Sequence, residues 1–159
     1  MTLYQYAICP YCNIAKTVLH YTRTPYQALE VNPLTKAELK KLDADSDGKL
    51  YDKVPVLVRL LDSDESQQIN GSDAIVDYLL ENATFIDAAS PSAVRWTTFA
   101  REDLAPLLYP NLCNTLGNSF RAFGYVHRSD SPFSLGQRLA IQWIGSLAMY
   151  LAASKIKRK

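Results

Sequence analysis

Two cysteines near the start of the chain, Cys9 and Cys12, form a Cys-Pro-Tyr-Cys motif, whose spacing is typical of thiol chemistry. The alternating, aromatic-rich segment Leu3–Ile8 before the motif predicts a strand, and the apolar spacing over 13–21 after it predicts a helix. Pro10 suits the first helical position because it has no N–H to lose there. The motif therefore falls where a strand turns into a helix.

The two thiols are not equivalent in this turn. The first backbone N–H groups of the helix point at the Cys9 sulfur, and the helix dipole places partial positive charge beside it. A dipole contribution of about 1–2 kcal/mol favours the thiolate roughly tenfold. Cys12 lies one turn inside the helix, where this field is weaker. We therefore expect Cys9 to attack, and Cys12 to resolve or to pack.

Other interpretations of the cysteines remain open. A zinc site needs four ligands, but Cys113 is the only other cysteine, and His20 and His127 do not form a second pair, so no metal site is expected. Two buried structural cysteines are the other alternative. Their position between a strand and a helix favours thiol chemistry over both.

The acidic segment 43–48 has Asp at its first, third and fifth positions and Gly at its sixth, as in a calcium-binding loop. The twelfth position, which should supply a bidentate Glu, is Val54, and 54–61 is predicted to be a strand. We therefore interpret the segment as a solvated acidic turn. Before it, a strand is predicted at 26–31 and a helix at 36–42, with a capping box at its start.

Val54-Pro55 opens the predicted strand, and X-Pro is the one context in which a cis peptide bond is inexpensive. A cis bond would turn the Val54 backbone outward, where it can pair with an extended peptide; an ordinary trans proline is the alternative. After a short strand at 67–69, Ser72 and Asp73 precede the helix 74–80. Helix-start N–H groups there can bind a carboxylate, although a plain helix cap by Ser72 is the simpler interpretation.

The chain has 159 residues, is 48% hydrophobic, and can therefore hold one full domain and part of another. Its 17 basic and 16 acidic residues leave a net charge of +1, which does not indicate nucleic acid as a partner. The odd cysteine count and the absence of a signal-peptide pattern in 1–6 favour a reducing compartment. We expect the cytoplasm or the cytosolic face of an internal membrane.

The order of motifs, Cys-Pro-Tyr-Cys after a strand, Val-Pro before a strand and Gly-Ser-Asp before a helix, resembles the glutaredoxins and the N-terminal domain of glutathione transferases. Residues 3–6, 25–27, 30–33 and 53–55 also resemble the membrane-associated prostaglandin E synthase type 2 family. The resemblance implies an α/β thioredoxin-like domain followed by an incomplete all-α, transferase-like domain. The expected division is 1–82 for the first domain, 83–92 for a linker and 93–159 for the second domain.

The resemblance also assigns functional residues. The positions that match the family's catalytic pair are Cys9 and Tyr6, and Cys12 is the second thiol of the motif. Glutathione is expected to be held around the motif, at the backbone beside the proline and at the acidic helix start, and the matching positions are Tyr11, Val54, Pro55, Ser72 and Asp73. Tyr6 stands where glutaredoxins carry a basic residue for the glycine carboxylate, so weaker glutathione binding is expected.

The family reaction is the glutathione-dependent isomerisation of prostaglandin H2 to prostaglandin E2, and the resemblance also implies haem. The stretch 105–109 contains no counterpart of the family's haem-facing histidine, which counts against haem. Three functions remain: an isomerase of a lipid endoperoxide, a glutaredoxin-like oxidoreductase acting on a glutathione mixed disulfide, and a non-catalytic binding module. The intact motif counts against the third.

The apolar segment 135–153, followed by a basic end, is too interrupted for a membrane span, and we interpret it as a buried helix. Such a helix needs cover on most sides. Membrane association and a homodimer that covers this helix therefore remain open.

Overall fold

The computed structural model describes residues 1–43, 48, 50–61, 65–83, 91–129 and 131–157. The chain divides into two compact units, Met1–Ile86 and Asp87–Lys159. Positions 44–47 of the acidic turn and 84–90 of the predicted linker lie outside the described residues. The interpretations made for these two segments therefore stay predictions.

The first unit is a mixed α/β structure. Its elements are β1 (Thr2–Gln5), α1 (Pro10–Tyr21), β2 (Gln27–Glu30), β3 (Val56–Leu60), β4 (Ser66–Asn70) and α2 (Ser72–Glu81). The strands form one sheet in the order β2-β1-β3-β4, in which β1 pairs with β2 in parallel and with β3 antiparallel, and β4 pairs antiparallel with β3. This is the thioredoxin-like arrangement, so the predicted fold class is confirmed.

Both helices cover the same face of the sheet because the apolar strand residues alternate. Side chains from three strands and two helices form the buried cluster Leu3, Ala15, Leu19, Leu57, Ile69, Ile75 and Leu79. Burying one such leucine fully contributes about 2 kcal/mol. The other face carries a second cluster built on Val31, Leu39 and Val56, against which Tyr6 and Tyr51 pack half-buried. The aromatic residues near the motif thus line this second face.

The helix predicted at 36–42 is wrong: only a short 3-10 turn, Leu39–Lys41, forms there. The predicted capping box does not form, because the Glu38 carboxylate accepts the backbone N–H of Asn32 at 2.9 Å instead. The Asn32 side-chain oxygen accepts the N–H of Thr35 at 3.2 Å. Asn32 therefore offers this backbone an alternative to a helical hydrogen-bond pattern.

The second unit is helical, which agrees with the predicted fold class. Its elements are α3 (Pro91–Phe99), a π segment (Ala100–Leu104), α4 (Ala105–Leu112), α5 (Leu116–Ala122), a 3-10 helix (Phe123–His127), α6 (Leu135–Ala140), a second π segment (Ile141–Gly145) and α7 (Ser146–Lys157). Thr115 caps α5, and Ser134 and Gln137 form a capping box on α6. His127 is exposed and ends the 3-10 helix.

The helix predicted to be buried at 135–153 is buried on one side only. Ile141, Ser146 and Ala153 are inside. The other side leaves large apolar residues exposed, namely Leu135, Leu139, Trp143, Ile144, Leu147 and Leu151. Across the described part of the chain, no helix combines the length and apolar character that crossing a membrane requires.

Candidate functional site

Cys9 caps the N-terminus of α1, with extended backbone angles (φ −76°, ψ 122°), and Pro10 is the first helical residue. The preceding turn is closed by a hydrogen bond of 3.0 Å from the Cys9 N–H to the Tyr6 carbonyl. The Cys9 carbonyl in turn accepts the Asn13 N–H at 3.0 Å, which begins the helical pattern. The Cys9 sulfur therefore lies at a helix N-terminus, as the sequence predicts.

The second thiol contacts the first. Cys12 is fully buried, and its S–H donates a hydrogen bond to the Cys9 sulfur. That hydrogen bond, then burial, then the charge on Cys9 raise the pKa of the Cys12 thiol far above its usual range. A backbone hydrogen bond from Tyr6 and the charge of Lys16 oppose this rise but do not cancel it. Cys12 is thus the protonated partner, and its hydrogen bond favours negative charge on Cys9.

Tyr6 lies close enough to both sulfurs for negative charge on either of them to affect its pKa. Burial raises the pKa of Tyr6 to about 12, with further contributions from Cys12, Cys9, Asp52 and Glu30. The side chain therefore remains a neutral phenol at neutral pH, able to donate a proton or a hydrogen bond. Tyr11, the other aromatic residue of the motif, is half-buried at the second position of α1.

The Val54–Pro55 peptide bond is cis, the form that the sequence left open. Pro55 is buried, and its carbonyl accepts the Gly71 N–H at 3.0 Å, which joins this segment to the start of α2. Among the hydrogen bonds between described residues, none uses the backbone N–H or carbonyl of Val54. These two groups are the ones that an extended peptide ligand pairs with in strand addition.

The N-terminus of α2 is capped by Gly71, not by Ser72 as the simpler interpretation held. Gly71 has φ +89°, a conformation that costs little only for glycine. Ser72 is the first helical residue, is buried, and donates its hydroxyl to the Asp73 carboxylate at 3.3 Å. The predicted pair Ser72 and Asp73 thus occupies the first turn of α2.

The structure adds Tyr51, which the sequence analysis missed. Burial raises the pKa of Tyr51, and the charges of Asp52, Asp73 and Cys12 add to this. Its hydroxyl lies 3.4 Å from where a Cβ on Gly71 would stand. The Tyr51 hydroxyl therefore lies at the start of α2, and the ring is near enough to Cys12 for charge there to affect its pKa. No spacing pattern marks this single tyrosine in the sequence.

A second missed residue is Glu30, the last residue of β2. One carboxylate oxygen accepts the Ala7 N–H at 2.8 Å, and the other accepts the Gln5 side-chain amide at 3.2 Å. Glu30 lies 23 positions from Ala7 in the sequence, so only the pairing of β1 with β2 brings them together. A glutamate that ends a strand gives no signal of this contact.

Neither histidine supports the haem that the resemblance implied. His20 lies at the C-terminal end of α1, away from Cys9, and its ring contacts the Tyr26 hydroxyl at 3.2 Å. His127, in the second unit, contacts the Gln142 side chain at 2.8 Å. The described residues contain no cluster of three or more metal-ligating side chains.

Taken together, a helix-capping cysteine, a buried second thiol and a cis-proline loop define a thioredoxin-like protein with a thiol site. Residues 3–85, which are 83 of the 159, match the family described as glutathione S-transferase, N-terminal domain. The chain belongs to this family.

Individual relatives are more distant. The chain is 24% identical over 204 positions to prostaglandin E synthase 2 of Mus musculus and 25% identical over 201 positions to prostaglandin E synthase 2 of Danio rerio. Each match covers all of this chain and 51% of the relative, so the chain spans about half the length of these curated relatives. Among solved structures, FzlA from C. crescentus has a TM-score of 0.53 at 19% identity, covering 95% of this chain and 63% of that one. That likeness shows a shared fold.

Proposed function

We propose that the protein is a glutathione-dependent thiol–disulfide oxidoreductase in which Cys9 is the nucleophile. The observation that carries this proposal is the position of Cys9, which caps α1 and accepts the Cys12 hydrogen bond. Both interactions stabilise a thiolate, the form of cysteine that attacks disulfides. The reducing compartment inferred from the cysteine content suits a reaction that consumes reduced glutathione.

In the proposed reaction the Cys9 thiolate attacks the glutathione sulfur of a mixed disulfide. The S–S bond breaks, the substrate leaves as a thiol after taking up a proton, and Cys9 becomes bonded to glutathione. A second glutathione thiolate then attacks this disulfide, so oxidised glutathione leaves and the Cys9 thiolate is regenerated. Each exchange conserves electrons: overall one reduced glutathione is consumed, the substrate is released as a thiol, and the two glutathione units leave together as oxidised glutathione.

The donors and acceptors around Cys9 suit a glutathione tripeptide. The Val54 backbone offers an N–H and a carbonyl beside the cis-proline, in the place where an extended peptide pairs as an added strand. The first turn of α2 presents N–H groups that favour a carboxylate, and the Asp73 side chain can meet an amino group. Tyr11, in the motif, supplies an aromatic surface.

Isomerisation of a lipid endoperoxide is a second candidate, which the two prostaglandin E synthase 2 relatives favour. The protonated Tyr6 beside both sulfurs also favours it. A thiolate that attacks one peroxide oxygen breaks the O–O bond, and the Tyr6 phenol can protonate the departing alkoxide. Transfer of the carbon-bound proton to the Tyr6 phenolate, with cleavage of the new S–O bond, then forms a ketone and regenerates both the thiolate and the phenol.

The two candidates are separated by assaying the purified chain with a glutathionylated substrate and with prostaglandin H2. We expect Cys9→Ser to abolish whichever activity is present and Cys12→Ser to spare glutathione-dependent disulfide turnover. Tyr6→Phe should slow isomerisation more than disulfide exchange, because only isomerisation needs its proton. Equal losses from the two cysteine changes would contradict the proposed roles. Glutathione binding without turnover of either substrate would indicate a non-catalytic module.

A further inference from the structure

The turn that presents Cys9 is held from outside by a carboxylate. Ala7 is the second residue of the turn that the Cys9 N–H closes onto the Tyr6 carbonyl. Its own N–H takes no part in closing the turn and donates instead to Glu30 at 2.8 Å. A hydrogen bond to an ionised acceptor is shorter and stronger than one between neutral groups. This hydrogen bond therefore anchors the turn to Glu30 at the end of β2.

The other end of this connection is also fixed. Glu30 is opposite Gln5 in the parallel pairing of β1 and β2, and its second oxygen accepts the Gln5 amide at 3.2 Å. Gln5 is buried, with only 7% of its surface exposed. The Glu30 side chain thus bridges the last residue of β1 and the turn that follows, and its carboxylate has little freedom to move.

We propose that Glu30 is a positioning residue for the thiol reaction: its carboxylate holds the Ala7 N–H and thereby keeps the Cys9 sulfur at the N-terminus of α1. The inference rests on the proposed role of Cys9 as the nucleophile. When this acceptor is absent, the turn loses its outside attachment. The Cys9 sulfur then moves relative to the helix N–H groups that stabilise its thiolate.

The charge of Glu30 and its hydrogen bond act on Cys9 in opposite directions. A negative charge near a thiolate disfavours it, whereas the hydrogen bond favours it by fixing the turn. The other ionisable groups around Tyr6 and the thiols are Cys12 and Lys16 on α1, and Asp52 and Tyr51 before β3. None of them is altered by a substitution at position 30.

Glu30→Gln separates the two effects because it removes the charge and keeps an acceptor for the Ala7 N–H. The new amide NH2 would then face Gln5, whose own side-chain oxygen is buried and has no partner among the described residues. A flip of the Gln5 amide lets that oxygen accept the new N–H. Glu30→Ala, in contrast, removes both the charge and the acceptor.

Glu38→Ala is a matched control. The Glu38 carboxylate also accepts a backbone N–H, that of Asn32 at 2.9 Å, and is also half-buried. Its loss should lower the stability of the first unit by a similar amount without touching the turn before Cys9. Glu30→Asp, which keeps the charge but shortens the side chain, serves if Glu30→Ala does not fold.

The test is the rate of Cys9 alkylation by iodoacetamide as a function of pH, with tandem mass spectrometry assigning the label to Cys9 or Cys12. At neutral pH we expect Glu30→Ala to slow Cys9 alkylation about tenfold and to move the profile to higher pH, since one pH unit is a tenfold change in thiolate fraction. Glu30→Asp should show a smaller change in the same direction. Glu38→Ala should retain the wild-type profile, and Glu30→Gln should not slow alkylation: its profile should coincide with that of the wild type or lie slightly lower in pH, because it keeps the acceptor and removes the opposing charge.

Coincident profiles for Glu30→Ala and the wild type would overturn the inference, as would equal changes in Glu30→Ala and Glu38→Ala. Because alkylation needs no glutathione, it is independent of the proposed function. A wild type without glutathione-dependent turnover but with the expected order of alkylation rates would refute only the function. A wild type with normal turnover and an unchanged Glu30→Ala profile would refute only the role of Glu30.

Discussion

The hydrogen bond from Cys12 to Cys9 gives a quantitative prediction for Cys12→Ala. This change removes the Cys12 S–H group, which donates a hydrogen bond to the Cys9 sulfur. Hydrogen bonds to charged groups contribute about 1.5–3 kcal/mol, and a thiol, as a weak donor, belongs at the lower end. A loss of about 1.4 kcal/mol lowers the thiolate fraction of Cys9 about tenfold.

Because Cys12 is fully buried, bulk water does not readily replace the missing donor. Cys12→Ser keeps an O–H donor at the same position and should therefore resemble the wild type. Cys113→Ala is a second control, since Cys113 is a buried cysteine of the second unit. The three variants thus separate loss of the donor from loss of a cysteine as such.

The measurement is the pH dependence of Cys9 alkylation by iodoacetamide. We expect the midpoint for Cys12→Ala to lie about one pH unit above that of the wild type, since this is the tenfold change in thiolate fraction. It should remain below that of free cysteine, because the helix N-terminus is still present. A midpoint for Cys12→Ala equal to that of the wild type would refute the view that Cys12 stabilises the Cys9 thiolate.

Three further predictions concern stability. Below pH 10 Tyr6 is protonated in both states, whereas its folded-state pKa of about 12 penalises folding above pH 10. The free energy of unfolding of the wild type should therefore fall by about 1 kcal/mol between pH 10 and 12, a value reduced to allow for the half-exposed ring. Tyr6→Phe should not show this loss when both proteins are unfolded with a chemical denaturant. Gly71→Ala should lower the free energy of unfolding by about 1–3 kcal/mol, because φ +89° suits only glycine. A midpoint of thermal unfolding equal to that of the wild type, measured by calorimetry, would contradict this. Gly145→Ala should lower the free energy of unfolding by about 1–3 kcal/mol, because the added Cβ would lie 2.5 Å from the Phe123 ring. Gly117→Ala is the control: the space around Gly117 is open, so thermal unfolding should show a neutral or stabilising effect.

The sequence predicts those parts of the site that depend on neighbouring residues. The position of Cys9 follows from an alternating strand, a proline suited to the first helical position and an apolar face at helical spacing, all within 20 residues of one another. The start of α2 was predicted to within two residues, but its cap was not. Gly71 displaces Ser72 from that role because only glycine readily adopts the φ required there.

The parts that depend on distant pairing could not be predicted. Glu30 contacts Ala7 only because β2 lies beside β1, and Tyr51 reaches Gly71 only because the loop before β3 returns to α2. The helix predicted at 36–42 does not form, and the reason is local, although the apparent capping box had favoured a helix there. The Asn32 side chain, three residues before Thr35, accepts the Thr35 N–H that the capping box would have used.

One departure from regular helix geometry can be read in the sequence in retrospect. Among the described residues from 96 to 112, the exposed large apolar side chains are Trp96, Phe99, Leu104, Leu107, Leu108 and Leu112. They follow the usual helical spacing of three or four positions except between Phe99 and Leu104, which are five positions apart. Five residues exceed one α-helical turn but match the wider turn of a π-helix, and the π segment Ala100–Leu104 falls in that interval. The extra residue keeps the apolar side chains along one side of the helix.

The contact between the thiols also sets the order in which they react. Of the three causes that raise the pKa of Cys12, the hydrogen bond to Cys9 and the charge on Cys9 both depend on a Cys9 thiolate. Once Cys9 is bonded to glutathione that charge is gone, and burial remains as the main obstacle to ionising Cys12. Cys12 therefore becomes a better nucleophile at the step where a resolving thiol is needed. Because its burial persists, free glutathione competes for the same disulfide, and for this reason turnover should survive Cys12→Ser.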